Sequence, residues 1–241
     1  MATYGVFLGL NGTMSRLEKF HIVVIEPEEY TREKVRRLKK QGKRVIAYLN
    51  VGSIEKSRSY YKQFKSITLG NYEGWPDEKW IDISKKSWKE FLVKQAGEWI
   101  AQGYDGFYID NLDVVELYKK KNLYEPAKDI LKAIRSIGPT YLMINGADYF
   151  INLCIKDNDI CFNALQQEEV FTLYDYDHKK YKSQSSDEKK RLKQHVVNAA
   201  KHKIDIFLLE YRASKINKLK IKNFCKKYGF RYYNANSINL T

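Results

Sequence analysis

Short apolar runs rich in Val, Ile, Phe and Tyr recur along the chain, separated by longer stretches in which apolar residues return every three or four positions. The runs are residues 4–10, 21–27, 44–52, 106–113, 140–147, 160–169, 204–211 and 230–236. Their hydrophobicity is continuous rather than alternating, as expected for strands covered on both faces. Between them, TREKVRRLKKQGK predicts a helix with Thr31 as its N-cap and Glu33 in the first turn, where the helix dipole favours an anion. Further helices are expected over 87–103, 124–138, 185–203 and 214–229, stopped by Gly103, Gly138 and Gly229.

Eight strands alternating with helices predict an α/β fold, a (β/α)8 TIM barrel forming a single domain over residues 1–241. A doubly wound open sheet is the alternative. The barrel is favoured because no GxGxxG phosphate loop occurs and because polar residues collect at the C-terminal ends of nearly every run. The connection at about 52–86 is unusually long and carries Tyr60, Tyr61, Phe64, Tyr72, Trp75 and Trp80. Long aromatic loops often carry function.

Composition adjusts this picture in three places. Net charge is +14, which suggests either a polyanionic partner or helices decorated with solvated lysines. The lysines fall mainly in helical segments, so the second reading is preferred and no specific nucleic-acid partner is expected. Cys154, Cys161 and Cys225 have no CxxC spacing, and the four histidines are scattered, so no metal and no cofactor is expected; His195 is placed on a helix surface. No apolar run is long enough to span a membrane, no signal peptide is visible, and no feature sets an oligomeric state.

In a barrel the strand ends share one mouth. Reading them in turn gives Glu26, Asn50, Asp110 with Asp113, Asn145, Glu168 with Glu169, and Glu210 with Tyr211, while Glu55 closely follows the third strand. A ring of like charges opposes folding unless a metal, a cationic substrate, acid–base chemistry, or pairing with Arg58 or Arg212 compensates. Glycoside hydrolysis needs two carboxyls flanking one bond, and Asp110 and Glu168, on the fourth and sixth strands, could supply them. Asp105, at the opposite end of the fourth strand, reads as a turn residue.

The motifs AYLNVGSIEKSRSYY, GYDGFYIDNLD, LMINGA and Glu168-Glu169-Val170-Phe171 resemble glycoside hydrolase family 114, the endo-α-1,4-polygalactosaminidase group. The resemblance covers roughly residues 4–236 and implies a TIM barrel acting on a galactosamine-rich polysaccharide, with a secreted or cell-surface location. It implies Asp110 as nucleophile or base and Glu168 as general acid. Substrate contacts are expected from Glu26, Tyr48, Asn50, Glu55, Arg58, Asp113, Asn145, Glu169, Glu210 and Tyr211. Glu26 and Glu210 stand where the family often has aspartate, each with one extra methylene. A barrel that holds a sugar without cleaving it is the alternative, and nucleic-acid binding, resting on charge alone, a more distant one.

Overall fold

The computed structural model describes residues 3–241. Eight parallel strands form one sheet: β1 (Tyr4–Phe7), β2 (Ile22–Ile25), β3 (Arg44–Asn50), β4 (Gly106–Asp110), β5 (Tyr141–Asn145), β6 (Ala164–Glu168), β7 (Asp205–Tyr211) and β8 (Arg231–Ala235). All eight predicted strands are present, in sequential order, and curl into a TIM barrel. Their interior positions are almost wholly buried, as the continuous apolar runs required.

The outer layer comprises α1 (Arg32–Lys40), α2 (Lys86–Gln102), α3 (Tyr124–Arg135), α4 (Asp148–Lys156), α5 (Ser186–Lys201) and α6 (Lys215–Tyr228). Thr31 caps α1 by accepting from the Lys34 amide, and Gly103 and Gly229 end α2 and α6 with positive φ. α3 stops at Arg135, three residues before Gly138. α4 was not foreseen: Tyr149, Phe150, Ile151 and Ile155 are aromatic or β-branched, and such residues favour strands as readily as helices. His195 is also not a surface residue. Its side chain is buried in α5 with Nε2 3.3 Å from Asp148 Oδ1.

The long connection carries its own three-stranded antiparallel sheet, with Glu78–Ile81 between Ser53–Glu55 and Thr68–Asn71. Tyr60 and Phe64 pack on Phe91 and Trp88 of α2, which anchors this insert to the barrel wall. The chain leaves β3 through Gly52, where a Cβ would meet the Asn111 carbonyl oxygen at 1.7 Å. Only glycine permits that approach. A second addition, the hairpin Thr172–Asp175/Lys180–Ser183, follows β6.

β1 and β8 close the circle differently from the other neighbours. Among the described residues no strand ladder joins them. The seam is filled by rings, with Tyr233 of β8 lying 5.3 Å from Phe7, 5.5 Å from Phe20 and 6.3 Å from Tyr4. At the other pole of the barrel, Asp105 pairs with Lys39 and accepts from the Val45 amide at 2.8 Å, tying α1, β3 and β4 together.

Candidate active site

Strand register brings the critical ends side by side. Asn50 pairs with Asp110 across β3 and β4, Ile109 with Ile144 across β4 and β5, and Asn145 with Gln166 across β5 and β6. Four rim residues, Asp110, Asn145, Glu168 and Tyr211, are followed by backbone in the left-handed region: Asn111 (φ 66°), Gly146 (57°), Glu169 (58°) and Arg212 (45°). The chain therefore turns sharply away and leaves the preceding side chain at the mouth. Glycine and asparagine adopt this conformation readily, whereas Glu169 and Arg212 do so against about 1 kcal/mol of strain each.

Asp110 and Glu168 share one donor. The Asn145 Nδ2 amide donates to Asp110 Oδ1 at 2.9 Å and to Glu168 Oε1 at 3.1 Å. Two acceptors on the two hydrogens of one planar amide stand about 5 Å apart, and these oxygens cannot exceed about 6 Å, the two bonds laid end to end. Asp110 also accepts from the Tyr48 hydroxyl at 2.8 Å and the Asn111 amide at 3.0 Å. Glu168 has one further donor, the Tyr211 hydroxyl at 2.6 Å.

Burial raises both carboxyls above their usual range. The bonds from Asn145, Tyr48 and Asn111 pull Asp110 back down. Tyr211 does the same for Glu168, but the charge of Asp110 adds to the rise. Asp110 thus has three donors to the two of Glu168, and each donor favours the ionised form of the carboxyl it meets.

The orientation of Asn145 is set from inside the barrel. Its Oδ1 accepts from Gln166 Nε2 at 2.8 Å, and Gln166 Oε1 accepts from the Tyr4 hydroxyl. Gln166 is completely buried, so this chain turns the Asn145 amide nitrogen toward the two acids. Neither Tyr4 nor Gln166 was foreseen. The signal was there: Gln166 is two residues before Glu168 and shares its strand face.

The other expected residues divide into groups. Asp113 lines the cleft beside the pair, as do Tyr48, Asn145 and Tyr211. Glu26 and Glu55 meet at Arg58, which reaches Glu26 Oε2 at 2.9 Å, Glu55 Oε1 at 2.9 Å and Glu28 Oε2 at 3.0 Å. They form a neighbouring compartment. Arg212 lies over the Tyr181 ring instead of an acid. Asn50 faces inward and bonds Ser53 and Asn111, bracing the turn after Asp110. Glu169 accepts from the Tyr174 amide at 2.6 Å at the far side of Glu168.

Glu210, also expected at the mouth, lies behind it. It is fully buried and accepts from the Phe171 and Thr172 amides and from Thr172 Oγ1. Its longer side chain reaches under the loop after β6, a course strand position alone does not show.

Three adjoining pockets make a trough across the mouth. The central one, about 510 Å³, holds Asp110 and Glu168. It shares Leu8 and Tyr48 with the Arg58 compartment of about 410 Å³, and Asp113, Gly146, Gln167 and Glu168 with a groove of about 490 Å³ on the opposite side. Twelve carboxylate residues line the three, against two arginines, Arg58 and Arg191, and no lysine. In a chain with 43 lysines and arginines, that absence of lysine and scarcity of arginine are properties of the site. The additions to the barrel supply aromatic faces: Trp75 and Tyr72 from the insert and Tyr176 from the hairpin, with Trp75 and Tyr176 about half exposed. Among the described residues no group of three or more His, Cys, Asp or Glu side chains could hold a metal ion.

The insert also contributes Glu78, which donor Ser53 Oγ holds at 2.8 Å. Burial, with Glu55 and Asp110 nearby, raises Glu78 to about 7; burial raises Asp113 to about 6, helped by Asp110, and Glu169 to about 7. These acids bind their protons more tightly folded than unfolded. The stability they contribute is full below the ordinary carboxylate pKa and is lost as pH rises through these raised values. Thermal melts should therefore shift to lower temperature between about pH 5 and pH 8. Glu78→Gln should flatten that decline; a slope identical to the parent's would remove Glu78 as a contributor.

A parallel barrel with paired carboxyls at its C-terminal rim is the architecture of a glycoside hydrolase. The family is specific: the chain belongs to glycoside-hydrolase family GH114, whose model matches residues 2–235. An uncharacterized protein of Thermotoga maritima is 25% identical over 145 residues, 51% of this chain and 45% of its own length. An uncharacterized protein of Methanocaldococcus jannaschii is 28% identical over 119 residues, 46% of this chain and 34% of its own. The chain thus matches less than half the length of these relatives.

Among solved structures, the glycoside hydrolase domain of PelA from Pseudomonas aeruginosa superposes with a TM-score of 0.85 at 19% identity, covering 99% of this chain and 95% of that one. Aspergillus fumigatus Ega3, solved in complex with galactosamine, gives 0.79 at 16% identity, with coverage of 100% and 92%. At these identities the likeness is one of fold.

Proposed function

We propose that this chain is an endo-acting hydrolase of a galactosamine-rich, α-1,4-linked polysaccharide. The observation that carries this reading is the carboxyl pair bridged by Asn145 in the floor of an acidic trough open on both sides. A polymer can lie across such a trough with compartments on either side of the cleaved bond. Twelve carboxylates against two arginines suit a chain bearing ammonium groups, since a cation entering this site neutralises charge that folding has crowded together. Family membership and the galactosamine bound to Ega3 support the same substrate class.

The shared Asn145 amide, which keeps the two nearest carboxyl oxygens within about 6 Å, supports a retaining mechanism. Carboxyls about 5–5.5 Å apart suit retention, whereas inversion needs 6.5–9.5 Å to admit a water. Asp110, held ionised by three donors, attacks the anomeric carbon while Glu168 protonates the departing glycosidic oxygen. Glu168 then takes a proton from water, and that water's oxygen displaces Asp110, restoring both groups with the anomeric configuration kept.

The test is digestion of partly deacetylated α-1,4-galactosaminan, of its fully N-acetylated form and of a neutral galactan. The expected result is a rapid fall in polymer length on the deacetylated chain, with the α-anomer appearing first by NMR. Binding of the same polymer with no new reducing ends would make the barrel a carbohydrate-binding protein instead.

A further inference from the structure

The excess positive charge lies on the outside of the barrel, and part of it is organised. α6 carries six lysines among its 14 residues and no acidic residue. Between α5 and α6 runs a groove of about 320 Å³ lined by Lys189, Lys190, Lys193 and Gln194 on one side and by Phe224 and Tyr228 on the other. Among the described residues none of these lysines is ion-paired. Glu188, the nearest acid along α5, is taken by Arg191 at 2.7 Å. Lys189 Nζ instead donates to the Gln184 carbonyl at 3.0 Å.

The groove is also shaped. Lys193 Nζ stands over two aromatic rings, 5.1 Å from the centre of Phe224 and 5.9 Å from that of Phe171, which fixes an ammonium in the floor without neutralising it. Tyr228 is 39% exposed and rests against Phe224 and Phe230, with ring centres 5.1 and 5.4 Å away. Lys227 Nζ, 5.1 Å from the Tyr228 ring centre, adds a further cation at that end. The result is a braced aromatic ledge beside a row of ammonium groups whose charge no carboxylate among the described residues neutralises.

We propose that the groove between α5 and α6 is a second carbohydrate site, separate from the trough, that binds an anionic glycan such as a uronic-acid polymer. Carboxylates spaced along the glycan meet the lysines, and one sugar face lies on Tyr228. A glycan fits better than a nucleic acid. The groove has one exposed ring where single-stranded nucleic acid needs successive stacking platforms, and none of its cations is the arginine that recognises phosphate bidentately. A membrane surface fits less well, because it would bear on the convex face of α6 and leave the groove unused. The site does not depend on the hydrolytic reading, and its ligand is not the proposed substrate.

The test titrates the full chain with polygalacturonate at low salt, beside neutral dextran, single-stranded DNA and phosphatidylglycerol vesicles. Polygalacturonate should bind and dextran should not. Replacing Lys189, Lys190 and Lys193 together by Gln should weaken polygalacturonate at least ten-fold. Replacing Arg32, Arg36 and Lys40 of α1 by Gln, an equal loss of charge elsewhere, should weaken it less than two-fold. Melting temperature and activity on soluble amino-sugar oligomers should stay at the parent's level in both triple variants. Equal losses in the two variants would show diffuse charge attraction and overturn the proposal. Undiminished binding in the groove variant would do the same, as would tighter binding of DNA or vesicles that depends on the groove lysines.

Discussion

Asp110→Asn is expected to abolish hydrolysis, by at least about 10⁴-fold in kcat/KM, with little change in melting temperature. The amide oxygen can take the place of Oδ1 and keep the bonds from Asn145 and the Asn111 amide. The new NH₂ then faces the Tyr48 hydroxyl, which can rotate from donating to accepting. The fold loses almost nothing, while the nucleophile is gone.

Glu168→Gln should behave differently, and the difference identifies its role. On a natural sugar leaving group, loss of the acid should slow the reaction about 10²–10⁴-fold. On an aryl galactosaminide, whose phenolate departs unprotonated, the first step should survive, and azide should restore turnover as a glycosyl azide of retained configuration. Measured rates within ten-fold of the parent for either variant on the polymer would end the assignment. Rescue by azide in the Asp110 variant, with inverted product, would confirm Asp110 as the nucleophile.

The second large effect is on stability. Glu210→Ala should cost about 4 kcal/mol, because it strands the amide donors of Phe171 and Thr172 in a buried wall at roughly 1–3 kcal/mol each. In a domain of this size that lowers the melting temperature by about 10 °C. Glu210→Gln should cost about 1–2 kcal/mol: its amide oxygen can replace Oε2, which carries most of the bonds, but its NH₂ meets the Phe171 N–H. Activity should fall with stability, since Thr172 Oγ1 also accepts from the Tyr211 amide at 3.0 Å and Tyr211 in turn holds Glu168. A residue touching substrate would give the opposite pattern, a raised KM with the melting temperature unchanged.

Local chemistry explains what could be read from the chain. The eight strands were legible because burial on both faces leaves an uninterrupted apolar signature. Asp110, Asn145 and Glu168 were legible because each ends such a run and a parallel barrel gathers those ends. The missing parts depend on partners distant in sequence. Glu78 enters the cleft only because its strand pairs with Ser53–Glu55, and Tyr176 only because a hairpin folds back after β6. Pairing with Arg58 was among the readings open for Glu26 and Glu55, and the guanidinium lies between them. Glu210 was placed by strand position, but the backbone amides of the next loop decide where its carboxyl goes. Asp105 lies in the short connection before β4, as expected of a turn residue, but its further role as a three-element clamp is hidden for the same reason: its partner, Val45, lies 60 residues away.

The ring-filled closure between β1 and β8 makes the barrel a rolled sheet with two free margins rather than a hoop. Among the described residues, the amides of β1 and β8 that face each other across that closure have no ladder partner, and they should exchange with deuterated solvent ahead of those in the other strands. Tyr4 stands on one margin, and through Gln166 it sets the angle at which Asn145 spans the two acids. Breathing at the margin therefore loosens the spacing on which catalysis turns, so rigidity of the reaction centre is set on the flank of the barrel by how firmly a few aromatic rings stay shut.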